Sequence, residues 1–176
     1  GQLKADVPRI NGEGKPLKYE APKGLNSSVL FLRSPASTSV VTAREHGLVP
    51  PLEVVADKDG DKGAFWRWWN QETRLALGIT EGGKKAGSWM TAGMACCSLP
   101  GIWNGAPKNK QTGIPELLPE FETLNLEGRR VYILFDYDST ADKRKTSRAA
   151  AERLAGLLAE RGALVTLGLV PKPPRG

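Results

Sequence analysis

Residues 78–85 read GITEGGKK and residues 131–140 read VYILFDYDST. The first stretch meets the phosphate-loop pattern G-x-x-x-x-G-K-[ST] at Gly78, Gly83 and Lys84, and departs from it at the last place, where Lys85 replaces a hydroxyl residue. Lys85 offers no hydroxyl to a Mg²⁺ ion, and Glu81 puts a negative charge inside a loop whose amides would have to cradle phosphate. The phosphate-loop reading therefore fails on chemistry. The segment reads instead as a strand over 74–80, a tight turn at Glu81-Gly82-Gly83, and a helix with Ala86, Trp89, Met90 and Gly93 at i, i+3, i+4 and i+7.

Working outward, residues 95–99 form a second apolar strand candidate closed by Pro100-Gly101, and 131–135 form a continuous apolar run with β-branched and aromatic members. A helix capped by Thr146 or Ser147 is expected next, with Ala150, Leu154, Leu157 and Leu158 on one face and Gly162 at its end, followed by a core strand over 163–170. Buried strands alternating with helices imply an α/β fold with a mainly parallel central sheet flanked by helices. This domain is expected over 61–176. Residues 1–60, rich in Gly, Pro, Ser and Lys, read as a small β-rich extension with short runs at 17–19, 29–32 and 40–42. DKDGDKG at 57–63 resembles the start of a calcium loop, but Trp68 stands where the twelfth-place acid belongs, so it reads as a turn.

Asp136 and Asp138 follow the 131–135 strand directly. Ligand sites in open α/β sheets form at that carboxyl edge, and two acids spaced by two on an extended end face the same way. With Glu81 from the end of another strand, they make an oxygen-rich set suited to Mg²⁺ or Mn²⁺. An alternative is that the pair caps the following turn and helix. The D-x-D-x-T of Asp136, Asp138 and Thr140 also resembles the nucleophile motif of haloacid-dehalogenase-like phosphatases, but the 36 residues after Thr140 hold no acidic pair to complete that site.

The ordered set of Glu-Gly after a first strand, D-x-D after a later one, then a helix and a strand resembles the TOPRIM fold shared by primases and topoisomerases. More closely, ITEGGKKAGSW, SLPGIWNG and GRRVYILFDYDS, with a helix ending ERGALV, are similar to the TOPRIM-like domain of primase and helicase proteins of plasmids, phages and mobile elements. The resemblance covers about residues 70–170. It implies that Glu81 is a metal ligand or general base, and that Asp136 and Asp138 are the Mg²⁺ pair. It also implies Mg²⁺-dependent phosphoryl transfer on nucleotides or nucleic acid. In ordinary bacterial primases an acid falls at the place of Lys85, and in the mobile-element group one falls at the place of Gly83; here Lys84 and Lys85 stand as phosphate-facing cations instead. A primase-like nucleotidyltransferase, a TOPRIM nuclease and a catalytically weak module that binds nucleic acid or a partner within a larger primase-helicase all fit these residues.

The formal charge is +6, and from residue 139 onward eight Lys or Arg face three Asp or Glu, which favours an anionic partner on that side. Lys143, Arg144, Lys145 and Arg148 are the candidate nucleic-acid contacts there, for single-stranded DNA or an RNA primer on a template, at the positive end of the expected helix. FWRWWN at 65–70 reads as core packing, with base stacking as the alternative. Cys96 and Cys97 are adjacent, lack zinc-type partners and read as buried thiols. His46, the only histidine, has no nucleophile motif nearby. No apolar run approaches the roughly 18 residues of a membrane span and no signal pattern opens the chain, so a cytoplasmic protein is expected; the resemblance implies other domains of a larger replication protein as partners.

Overall fold

The computed structural model describes residues 9, 10, 12, 14, 16, 27–136 and 140–169. Its centre is one five-stranded sheet. In chain order the elements are β1 (Leu30–Phe31), α1 (Ala36–Glu45), α2 (Leu52–Ala56), α3 (Ala64–Gln71), β2 (Leu77–Glu81), α4 (Gly83–Thr91), β3 (Cys96–Leu99), a 3₁₀ turn (Ile102–Gly105), α5 (Pro119–Glu122), β4 (Arg130–Phe135), α6 (Ala141–Glu160) and β5 (Leu164–Leu169). The strand order is β1-β3-β2-β4-β5. β2 pairs parallel with both β3 and β4, and β4 pairs parallel with β5. β1 alone runs antiparallel, against β3.

The apolar runs become central strands because both sheet faces are covered. Leu77, Ile79, Cys96, Cys97, Val131 and Ile133 are all buried. Adjacent residues of β3 identify the two layers. A Cβ added to Gly83 of α4 would meet Leu30 and approach Ser98, whereas one added to Gly105 would meet Leu99 of β3 and Leu154 of α6. Ser98 and Leu99 point to opposite faces, so α4 covers one face and α6 the other. The crossovers β2–α4–β3 and β4–α6–β5 also lead away from the β2–β4 pair in opposite directions. The winding therefore reverses between β2 and β4.

Two expectations are corrected. Among the described residues, the region before residue 61 is not a β-rich extension. It carries a two-residue strand and two helices, and β1 is part of the main sheet. The 40–42 run, whose β-branched residues suggested a strand, lies inside α1, where Thr42 and Ala43 are buried; tertiary packing overrides the local preference. The 17–19 run lies outside the described residues. The last helix starts earlier than expected: Thr140 is its cap, accepting from the Lys143 amide, so the basic segment forms its first turns and is not a preceding loop.

The Trp-rich segment packs. α3 buries Phe65, Trp68 and Trp69, and Trp66 stacks edge-on to Phe31 while its indole N–H donates to the Leu32 carbonyl. DKDGDKG is a turn in which the Asp57 carboxylate accepts from the amides of Lys62 and Ala64, fixing the entry to α3. No described helix is long and apolar enough to cross a membrane.

Candidate functional site

β2 ends in Glu81 and β4 in Phe135, with Asp136 next in the chain. The register pairs Thr80 with Leu134, so the two acidic residues leave neighbouring parallel strands at the same edge of the sheet. The crevice outside the carboxyl ends of a strand pair where the winding reverses is the usual ligand site of an open α/β sheet. Thr80, buried between the two strands, donates its hydroxyl to the Leu134 carbonyl at 2.7 Å and ties them together one residue before Glu81.

Gly82 makes the turn possible. Its φ is +84°, a backbone state that costs a residue with a Cβ about 1–3 kcal/mol. The chain then enters α4 directly, placing Lys84 and Lys85 in the first helical turn. Lys85 reaches across to β4: its ammonium lies 2.6 Å from Asp136 Oδ2. The expected phosphate-facing role of Lys85 thus has a competitor inside the protein. Glu81 is half-buried. Asp138 lies outside the described residues, and among those described no group of three or more His, Cys, Asp and Glu side chains is gathered to hold a metal.

Carboxylate oxygens are the donor type that a hard divalent cation takes, and two such residues stand at this edge. Asp136 is exposed and already accepts one cation, while Glu81 stands at the adjoining strand end. Beside them a cleft of about 630 Å³ opens between α6 and the β4–β5 edge. Ile133, Phe135 and Leu167 form its apolar floor, and Asp136, Arg144, Lys145 and Arg148 its polar rim. Of the six basic residues expected to meet nucleic acid, Lys84, Lys85, Lys143, Arg144, Lys145 and Arg148, three therefore share a cleft with Asp136, while Lys84 and Lys85 stand on α4. Lys143 lies with them on the exposed surface of the same helix, and Arg148 also pairs with Glu152 at 2.7 Å.

Two residues that hold these strands in place escaped the sequence reading, Arg129 at the amino end of β4 and Thr80 beside the site. Arg129 is fully buried. Its five N–H donors go to the carbonyls of Asn125, Glu72, Leu75, Trp69 and Asn70, and its guanidinium lies 3.8 Å from the Trp69 ring centroid. It clamps the end of α3 to the start of β4; no spacing rule marks an arginine ahead of an apolar strand for that duty. Thr80 carried a signal, since a hydroxyl within a continuous buried run needs a partner.

Cys96 and Cys97 are buried on successive positions of β3, facing opposite layers. Burial pushes the Cys96 thiol up to about 12 and Cys97 well above its ordinary value. Neither has the character of a nucleophile. His46 spends its ring Nδ1 on the Thr42 carbonyl.

Residues 65–176 match the family described as a domain of unknown function, DUF3854, and the chain belongs to that family. It is also 34% identical, over 95% of its length, to an uncharacterized protein of Picosynechococcus sp. strain PCC 7002, of which it spans 17%. No solved structure matches the chain.

Proposed function

We propose that the chain is a TOPRIM-like domain of a larger, primase-like replication protein, and that it performs Mg²⁺-dependent phosphoryl transfer on nucleotides or nucleic acid. The observation that carries this reading is the convergence of Glu81 and the Asp136 strand end at the reversal point of the sheet, each followed by a helix whose first turns are basic. The strand ends at Glu81 and Asp136, with α6 and β5 after them, support the order on which the resemblance rests. Glu81, Asp136 and Asp138 would hold the ion, which when bound supplies Lewis-acid stabilisation of charge on a phosphoryl oxygen.

The chain's own residues account for the rest. Where the aspartates alone hold the ion, Glu81, half-buried at the crevice, would instead take the proton of a hydroxyl as that oxygen attacks phosphorus and the leaving group's oxygen departs. Arg144, Lys145 and Arg148 hold phosphates at the mouth of the cleft, where the amino end of the 20-residue α6 adds its own positive field. A nuclease would use the same groups with water as the nucleophile.

The Lys85–Asp136 ion pair also favours a second reading, a module that holds primer, template or partner while another domain does the chemistry. Primer-synthesis and strand-cleavage assays with Mg²⁺ and Mn²⁺ decide between them. Activity in wild type that is lost in Asp136→Asn supports the enzyme; oligonucleotide binding without activity, in this chain and in a longer one, supports the module.

A further inference from the structure

We propose that Lys85 is a built-in counter-cation of Asp136 and that a divalent ion enters the site only by displacing it. The inference rests on the reading of Glu81 and Asp136 as metal ligands, and adds to it a residue that sets metal affinity.

The geometry makes occupancy of Asp136 Oδ2 exclusive. Lys85 Nζ sits 2.6 Å from Asp136 Oδ2, a full charge-assisted hydrogen bond. A Mg²⁺ ion binds a carboxylate oxygen at about 2.0–2.1 Å. An ion on Oδ2 would stand within a few ångströms of the ammonium, where the two cations repel each other strongly. An ion that takes Oδ2 must therefore drive the ammonium away. The swing is feasible, because the side chains of Lys85 and Asp136 are 40% and 54% exposed and water replaces what each loses.

The origin of Lys85 on α4 gives the exchange a direction. The side chain is anchored in the first turn of a helix whose amino end follows Glu81 directly. Once off Asp136 it remains at the crevice mouth, as a free cation beside the helix amino end, where a phosphate-bearing ligand would meet it. Metal-free protein thus has Asp136 neutralised from within, and metal-loaded protein gains a phosphate-facing lysine.

Lys84 supplies the control, because it carries the same charge one residue earlier in the same turn. Mn²⁺ is titrated into wild type, Lys85→Gln and Lys84→Gln, with binding read by electron paramagnetic resonance of the free ion and folding checked by circular dichroism. The expected result is Mn²⁺ binding about threefold to tenfold tighter in Lys85→Gln, as befits removal of one half-exposed ion pair, with a clearly smaller shift in Lys84→Gln. Equal shifts in the two variants would reduce the effect to general charge and overturn the proposal. So would a Lys85→Gln affinity no tighter than wild type, which would leave the carboxylate site itself standing. If none of the three proteins binds Mn²⁺, the metal reading fails and the proposal falls with it.

Discussion

The Thr80 hydroxyl donates to the Leu134 carbonyl across the seam where the sheet reverses its winding, at 2.7 Å. Each residue stands just before a proposed functional group, Thr80 one place before Glu81 and Leu134 two before Asp136. The hydroxyl therefore helps set the relative position of the two strand ends that carry the acids. Thr80→Val keeps the shape and removes the donor. Chemical denaturation should show a loss of about 0.5–1.5 kcal/mol, with a further loss of Mn²⁺ affinity that stability alone does not explain.

Arg129 should be far more sensitive. Arg129→Lys keeps the charge but cannot serve five carbonyls in a plane, and it leaves buried acceptors unpaired. A destabilisation of about 2–4 kcal/mol is expected by urea unfolding. A loss below about 0.5 kcal/mol would show that the clamp is incidental.

The two thiols make a prediction about pH. Both are protonated in the fold well past the range in which an unfolded cysteine ionises, so only the unfolded chain releases protons as pH rises above about 9, and stability falls from there toward 12. Below about 8 they contribute almost no pH dependence. At pH 8 a disulfide reagent should find native Cys96 and Cys97 nearly inert and react with both once the protein is unfolded. Replacing both with Ser should remove their share of the alkaline decline in urea-unfolding free energy.

The basic turns of α6 are testable apart from catalysis. Changing Arg144, Lys145 and Arg148 together to Ala should weaken binding of labelled single-stranded DNA and flatten its salt dependence, by about 0.7 in slope for each phosphate that is no longer neutralised. Anisotropy at several salt concentrations measures both. Asp136→Asn should bind DNA equally or more tightly in the absence of metal, since it removes a negative charge from the rim of the same cleft.

The sheet and the acidic edge were legible in the sequence because both rest on short-range pattern. Continuous apolar runs at 95–99 and 131–135 have few alternatives to buried strands, and Glu-Gly or an Asp directly after such a run marks a carboxyl end. The helices before residue 61 are not legible because α1 is only weakly amphipathic: Ser39 and Thr42 are buried while Val40 is 44% exposed, so its contacts, and not its pattern, make it helical. The start of α6 is not legible because Thr140, Thr146 and Ser147 are equally good caps by composition. Lys85 on Asp136 could not be read, since 51 residues separate them and only the parallel pairing of β2 with β4 brings them together.

The central claim is that Glu81 and Asp136 form a divalent-metal site at the reversal of the sheet. Its most direct test is Mn²⁺ binding to wild type, Glu81→Gln and Asp136→Asn, measured side by side by calorimetry with folding confirmed for each. Weak binding in wild type that drops at least tenfold in both variants is the predicted result. Equal binding in all three folded proteins would contradict it.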